Sequence, residues 1–251
     1  MQTDLRTNLE SVRAKIGDAA SRAGRNADEV KLVAVSKTHP ASMIADAIAA
    51  GATVFGENKV QEGEGKIIEI GRDRAEWHLI GHLQSNKARK AVQLFDVVHS
   101  VDSVDLATRL ERICVEEDRQ TLSVFAQVDL AGEDTKSGIP ETELPKLVTY
   151  LRSCERLQFD GLMILPPYFE NADDVRPFFK RLRTIRDGLF ERGRGELSMG
   201  MSHDFEIAIE EGATVIRVGT AIFGERGGKV KSKKEKGKSM TDRLISYFDH
   251  V

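Results

Sequence analysis

The sequence predicts a parallel (β/α)8 barrel, an α/β fold of the TIM-barrel type, preceded by one extra helix. Three observations carry that expectation. Short apolar runs alternate with helix-patterned segments about eight times along 251 residues, a length that suits one such barrel. The joint Ala47-Ile48-Ala49-Ala50-Gly51-Ala52-Thr53-Val54 returns as Ala208-Ile209-Glu210-Glu211-Gly212-Ala213-Thr214-Val215. Each copy is a helix end, a glycine stop and a strand start. The competing architecture, a doubly wound open sheet, usually carries a Gly-rich dinucleotide turn after its first strand, and no such turn follows the first run.

The elements follow in order. Residues 3–24 place Leu5, Leu9, Val12, Ile16 and Ala20 at helical spacing and stop near Gly24. Strands are expected at 31–37, 53–58, 76–81, 96–101, 122–130, 158–166, 196–200 and 214–219, each a short apolar run. Helical patterns fill 41–50, 86–94, 104–117, 141–154 and 175–192, and another helix runs through Ile207 and Ala208. From 227 to 239 the chain carries Lys229, Lys231, Lys233, Lys234, Lys236 and Lys238 with almost nothing apolar, which reads as a solvated linker. Met240, Leu244, Ile245 and Phe248 then suggest a short helix docking back. The expected organisation is a barrel over 1–226, a linker over 227–239 and a helix over 240–251.

Composition excludes several classes. A formal charge of −3 gives no global attraction to nucleic acid or to acidic membranes. Met1-Gln2-Thr3-Asp4-Leu5-Arg6 lacks the apolar core of a signal peptide, and no stretch is long enough to span a bilayer. Cys114 and Cys154 show neither metal nor redox spacing. A cytoplasmic protein is expected.

Chemistry gathers at the strand ends, the functional rim of a barrel. Lys37 closes the run Leu32-Val33-Ala34-Val35-Ser36 and shares a strand face with Val33 and Val35. Partial desolvation favours its neutral amine, a nucleophile suited to aldehydes; the alternative is a strand-end lysine that snorkels to water. The loops after strands seven and eight favour phosphate, and there lie Ser198-Met199-Gly200-Met201-Ser202 and Arg217-Val218-Gly219-Thr220. Ser202 either caps the following helix or donates to an anion, while Gly219 lets backbone approach a ligand. Arg217 sits inside the eighth strand and needs an acceptor. That acceptor is a structural partner such as Glu57 or Asp129, or a ligand atom. Asn58, His82 and Met163 end other strands. The spacing of His78 and His82 falls across a strand and its turn without a carboxylate motif, so no metal is expected. Lys87, Arg89, Lys90 and Lys136 read as solvated basic positions.

These residues together resemble the pyridoxal 5′-phosphate homeostasis protein family, alanine-racemase-like barrels without a second domain. The matching stretches are Val33-Ala34-Val35-Ser36-Lys37-Thr38, Phe55-Gly56-Glu57-Asn58, Trp77-His78-Leu79-Ile80-Gly81-His82-Leu83-Gln84-Ser85-Asn86-Lys87, Lys136-Ser137-Gly138-Ile139, Gly161-Leu162-Met163 and the block 197–224. The resemblance implies a fold-type III barrel with no C-terminal β domain, in which Lys37 forms a Schiff base with the cofactor aldehyde. It implies that Ser202, Gly219 and Thr220 hold the phosphate, that Arg217 faces the pyridine nitrogen, and that Asn58, His82 and Met201 lie around the cofactor. The implied function is to hold pyridoxal 5′-phosphate and hand it on to apo forms of enzymes that use it, without substantial catalysis, as a monomer or weak dimer. An amino-acid racemase using Lys37 is the alternative, and a phosphate-ligand enzyme without a covalent cofactor is a third. Racemases of this likeness take a second base from a tyrosine of an additional domain. Of Tyr150, Tyr168 and Tyr247, only Tyr168 lies where it could substitute. The sequence departs from the family at Ile164-Leu165-Pro166-Pro167-Tyr168, where small polar residues are usual, and in its longer lysine-rich tail.

Overall fold

Residues 4–132, 137–191 and 194–224 are described in the computed structural model. The expected linker 227–239, the expected helix 240–251 and Lys136 lie outside the described residues.

Eight strands form a closed parallel barrel: Lys31–Val35, Val54–Glu57, Glu76–Leu79, Val97–Val101, Leu122–Asp129, Leu157–Met163, Glu196–Met201 and Val215–Val218. Each pairs with the next, and the eighth returns to the first with Lys31 opposite Val215, Val33 opposite Arg217 and Ala34 opposite Val218. Parallel neighbours need a crossover, and helices supply it. Helix α1 (Leu5–Arg22) precedes the barrel. Then α2 (Ala41–Ala49), α3 (Val60–Ile70), α4 (Ala88–Leu94), α5 (Val104–Glu116), α6 (Leu144–Ser153), α7 (Arg176–Leu189), α8 (Phe205–Glu210) and α9 (Thr220–Phe223) follow the strands in turn. A two-residue strand, Ile139–Pro140, adds to the rim of the fifth strand.

Side chains alternate across each strand, so every strand serves two cores. Val33, Val54, Val97, Phe125, Met163 and Val215 fill the barrel. Their neighbours Ala34, Phe55, Trp77, Val98, Val124 and Ile216 pack outward against the helices. Helix α1 starts on Asp4, whose carboxylate accepts from the N–H groups of Arg6 and Thr7. Its apolar stripe packs on α8 and α9, so the leading helix covers the seam where first and last strands meet.

The expected elements appear with shorter bounds. The first strand stops at Val35 because the chain turns at Thr38, which adopts a φ of +68°. The sixth ends at Met163, ahead of Pro166-Pro167. Helix α3 escaped the periodicity reading because Gly63 and Gly65 dilute its pattern. Gly63 lies so close to Phe95 that a β-carbon there would sit 2.7 Å from its ring, which explains glycine in a packed helix.

The repeated joint is one geometry used twice. Ala52 N–H donates to Ala47 C=O at 2.9 Å and Gly51 N–H to Ile48 C=O at 2.9 Å. Ala213 and Gly212 repeat both bonds to Ala208 and Ile209 at 2.8 and 3.0 Å. This is the Schellman stop, and the two glycines take φ of +94° and +99°. A side chain is strained there, so Gly212→Ala is expected to cost about 1–2 kcal/mol. Urea unfolding with an unchanged denaturant slope checks it; a midpoint equal to that of the parent chain would contradict the strain.

Candidate functional site

The site is built where the first, seventh and eighth strands end. Lys37 is half-buried on the turn after the first strand. The residues on either side of it are held from outside the barrel. Lys66 of α3 donates to Ser36 C=O at 2.8 Å, to Glu57 Oε1 at 2.8 Å and to Glu62 Oε1 at 2.7 Å. Ser36 Oγ donates to the same Glu57 oxygen at 2.6 Å, and Thr38 N–H donates to Glu62. The positive φ of Thr38 is thus held by a carboxylate on the one backbone donor it turns outward. Helix α3 and the second strand therefore clamp the backbone at 36 and 38, on either side of Lys37. His39 completes the turn by stacking on Phe223 of α9, with ring centroids 5.1 Å apart.

Glu57 is fully buried, and burial pushes its carboxyl up from the usual range against the pull of Lys66 and Ser36. Its Oε2 is a buried oxygen with no hydrogen-bond partner. The carboxylate is therefore held by Lys66 through one oxygen only.

Across the closing seam, Gly219 lies against the first strand. A β-carbon on it would approach Val35 C=O to 3.3 Å and the Val35 β-carbon to 3.4 Å, so glycine sets the distance between the two strand ends. Ser202 Oγ accepts from Gly219 N–H at 3.1 Å and Ala221 N–H at 3.4 Å. Ser202, Gly219 and Thr220 are thus gathered in one place, where the Ser202 hydroxyl takes the Gly219 and Ala221 N–H groups. The expected cap role of Ser202 is corrected: Asp204 stands at the N-terminus of α8, and its carboxylate accepts from Met201 N–H at 2.6 Å. The Ser202 hydroxyl reaches over to the loop of the eighth strand instead.

Arg217 points into the barrel and is 3% exposed. It donates to Ser198 Oγ at 2.5 Å and to Ile164 C=O at 2.8 Å. Burial draws its pKa down to about 10, with Asp204 opposing, so it is a cation at neutral pH. Neither expected structural partner is its own. Glu57 faces outward to Lys66, one strand face away, and Asp129 accepts from Ala131 and Gly132 N–H in its own turn.

Asn58 is half-buried at the second strand end, and His82 is exposed at the third, its Nδ1 3.5 Å from Asp102. Both line a cleft of about 460 Å³ with Lys59, Gln61, Gln84 and Lys87. His78 and His82 do not converge. His78 is buried inside the barrel against His99, at 2.9 Å, with Glu76 on its other nitrogen at 2.8 Å. The sequence reading missed Lys66, Glu62 and His99, and it placed Ser198 in the rim stretch without its bond to Arg217. Glu62 and Lys66 did carry a signal, the four-residue helical spacing of an ion pair. His99 and Ser198 are polar residues of apolar strands whose inward positions are visible only once the register is known.

A model of the family described as alanine racemase, N-terminal domain, matches residues 7–227. The chain is 41% identical over 221 residues to the pyridoxal phosphate homeostasis protein of Aquifex aeolicus, covering 87% of this chain and 96% of that one. It is 44% identical over 233 residues to the protein of the same name from Escherichia coli K12, with coverages of 89% and 97%. Among solved structures, PipY of Synechococcus elongatus superposes with a TM-score of 0.79 at 41% identity, over 88% of this chain and all of that one. A second PipY structure, described as having PLP bound, gives 0.76 at 40% identity over 88% of this chain and 100% of that one. Alanine racemase from Corynebacterium glutamicum shares the fold at 17% identity and a TM-score of 0.61, over 90% of this chain and 64% of the racemase.

The clamp yields a stability prediction. Lys66→Met strands the Glu57 carboxylate and is expected to cost about 3–5 kcal/mol at neutral pH, most of it recovered by adding Glu57→Gln. Without the cation the Glu57 pKa rises further above its unfolded value. A raised acid contributes stability below the unfolded pKa and loses it as pH climbs through the folded one. The deficit of Lys66→Met should therefore widen between about pH 4 and pH 7. Urea midpoints across that range check it, and a deficit independent of pH would remove Glu57 from the account.

Proposed function

This chain belongs to the pyridoxal phosphate homeostasis proteins of the alanine racemase N-terminal-domain family, and we propose that it holds pyridoxal 5′-phosphate on Lys37. The observation that carries the reading is the seam: the close approach of Gly219 to Val35 sets the clamped Lys37 turn beside the strand end where the Ser202 hydroxyl meets the Gly219 and Ala221 N–H groups. The residues fit the group. When bound, pyridoxal phosphate supplies an aldehyde that condenses with a lysine amine and a ring that withdraws electrons. Lys37 is the nucleophile in this assignment. Ser202, Gly219 and Thr220 take the phosphate, and Met201 borders them through its backbone N–H, fixed on Asp204. Arg217 presents a charged donor to the ring nitrogen, while Asn58 and His82 line the open side.

The role is that of a carrier. A guanidinium that stays charged discourages a proton on the nitrogen it faces, which weakens the electron-withdrawing ring and restrains side reactions. Racemisation further needs a base on each face of the substrate carbon. Tyr168, the conceivable second base, is 71% exposed with its ring tilted on His203. The full-length likeness is to homeostasis proteins, whereas the racemase match covers about two thirds of its chain. Recipients are apo forms of pyridoxal phosphate enzymes, and the setting is the cytoplasm, where Cys114 and Cys154 stay as free thiols. No helix among the described residues is long and apolar enough to cross a membrane.

Borohydride reduction of the loaded protein followed by peptide mass spectrometry should place the cofactor on Lys37, and Lys37→Ala should abolish the adduct. Labelling that persists on another lysine would refute the assignment. Incubation with L-alanine in deuterium oxide should give α-exchange no faster than free cofactor; exchange at enzymatic rates that Lys37→Ala removes would establish the racemase reading instead.

A further inference from the structure

A line of polar groups runs through the barrel from its opposite end to Arg217. Lys31 Nζ lies 3.0 Å from Glu76 Oε1, and the same oxygen meets His78 Nε2 at 2.8 Å. His78 Nδ1 meets His99 Nε2 at 2.9 Å, His99 Nδ1 meets Ser198 Oγ at 2.8 Å, and Ser198 Oγ accepts from Arg217 at 2.5 Å. Phe125 stacks on the His99 ring at 4.5 Å and 13°, which fixes its plane. His78, His99, Ser198 and Arg217 are each 3% exposed or less.

The two ends dictate the direction. A guanidinium has only donors and a carboxylate has only acceptors. Glu76 only accepts, so with both rings neutral the hydrogens point toward it, and Ser198, which accepts from Arg217, gives its own hydrogen to His99 Nδ1. His99 then donates through Nε2 to His78 Nδ1, and His78 donates through Nε2 to Glu76. Both imidazoles are held neutral in one tautomer, in keeping with the downward push that burial exerts on His78 and His99. Glu76 is held below the usual carboxylate range by the His78 hydrogen bond and by Lys31, against burial, so the accepting end stays an anion at neutral pH.

We propose that Glu76, His78, His99 and Ser198 are positioning residues that fix Arg217 for the ligand ring by holding every hydrogen of the chain in one direction. The proposal rests on the reading of Arg217 as the donor to that ring. The chain is no proton path into the site, because its inner end stays protonated. Its effect is on orientation and donor strength: with the Ser198 hydrogen committed to His99, the hydroxyl turns only lone pairs to the guanidinium, and aligned bonds polarise one another.

Two measurements test this. Long-range ¹H–¹⁵N spectra of histidine-labelled protein without cofactor should show His78 and His99 neutral and protonated on Nε2 near pH 7. Glu76→Gln, which keeps an acceptor oxygen, should preserve that pattern, and Glu76→Leu should lose it at His78. An imidazolium or an Nδ1-protonated tautomer at either ring of the parent protein overturns the proposal. In the second measurement, pyridoxal 5′-phosphate is titrated by its protein-bound absorption. Ser198→Ala should bind about tenfold more weakly with a shifted band. Lys37 should remain the labelled residue. Parent-like affinity and spectrum in Ser198→Ala overturn the proposal. Should the parent protein itself show no bound absorption, the cofactor reading falls, and the tautomer spectra alone decide the chain.

Discussion

Closure of the barrel between its first and eighth strands is the constraint on which the site depends. The register of that pair sets Val33 opposite Arg217 and Ala34 opposite Val218. From it follow the approach of Gly219 to Val35 and hence the distance between the Lys37 turn and the Ser202–Gly219 corner. A slip of one residue would turn Arg217 out toward the helices and Ile216 into the barrel. The slip is opposed on both faces at once, by Val33 and Val215 inside and by Ala34, Ile216 and Val218 outside. Bringing the chain's two ends together costs roughly 5 kcal/mol of loop-closure entropy. Burying two or three such side chains at about 2 kcal/mol each offsets it. Helix α1 reinforces the seam by lying over α8 and α9 and accepting part of their surface into its stripe.

Two buried polar systems meet at this seam from opposite sides of the sheet. Outside the barrel, Lys66 joins Glu57, Glu62 and the Ser36 carbonyl. Inside, Arg217 joins Ser198, His99, His78 and Glu76. Each carries a charge out of water at several kcal/mol, a cost acceptable only when hydrogen bonds replace the lost solvent. They solve the problem differently. The outer system pairs opposite charges at contact. The inner one separates its cation from Glu76 by three neutral groups, and the described hydrogen bonds of Arg217 go to a hydroxyl and a carbonyl rather than to a carboxylate. A direct ion pair would stabilise the guanidinium more and leave it less free to meet a ligand.

Much of this was legible in the sequence, and the limits have physical causes. The barrel was readable because each strand buries both faces and each helix one, giving apolar runs and helical stripes in strict alternation. The repeated glycine joint was readable because a Schellman stop imposes a residue type locally. Lys37, Ser202, Gly219 and Arg217 were readable as site candidates because the strand ends of a barrel are predictable positions. The partners of Arg217 were not. Pairing it with Glu57 ignored the alternation that sends residue 57 outward when Gly56 faces in, and that face is fixed only by the register with neighbouring strands. The inward face of His99 and Ser198 was hidden for the same reason, since a lone polar residue in a buried strand gives no sign of which face it takes. Helix α3 was hidden by Gly63, whose identity answers to Phe95 more than to helix propensity.

The backbone around Lys37 is held on both sides, and a fixed anchor of this kind suits a carrier. Residues 36 and 38 are tied to α3 through Lys66 and Glu62, and residue 39 stacks on α9. Lys37 itself is half-buried on this turn, and Asn58 and His82 line a cleft at the ends of the second and third strands. An enzyme that must hold its reacting atoms to a fraction of an ångström gains from enclosing the lysine as well. A protein that must load a ligand and release it gains instead from a fixed anchor, a preformed anion cup and an open side. The fixed anchor is the feature this geometry supplies most plainly, through the ties at residues 36, 38 and 39.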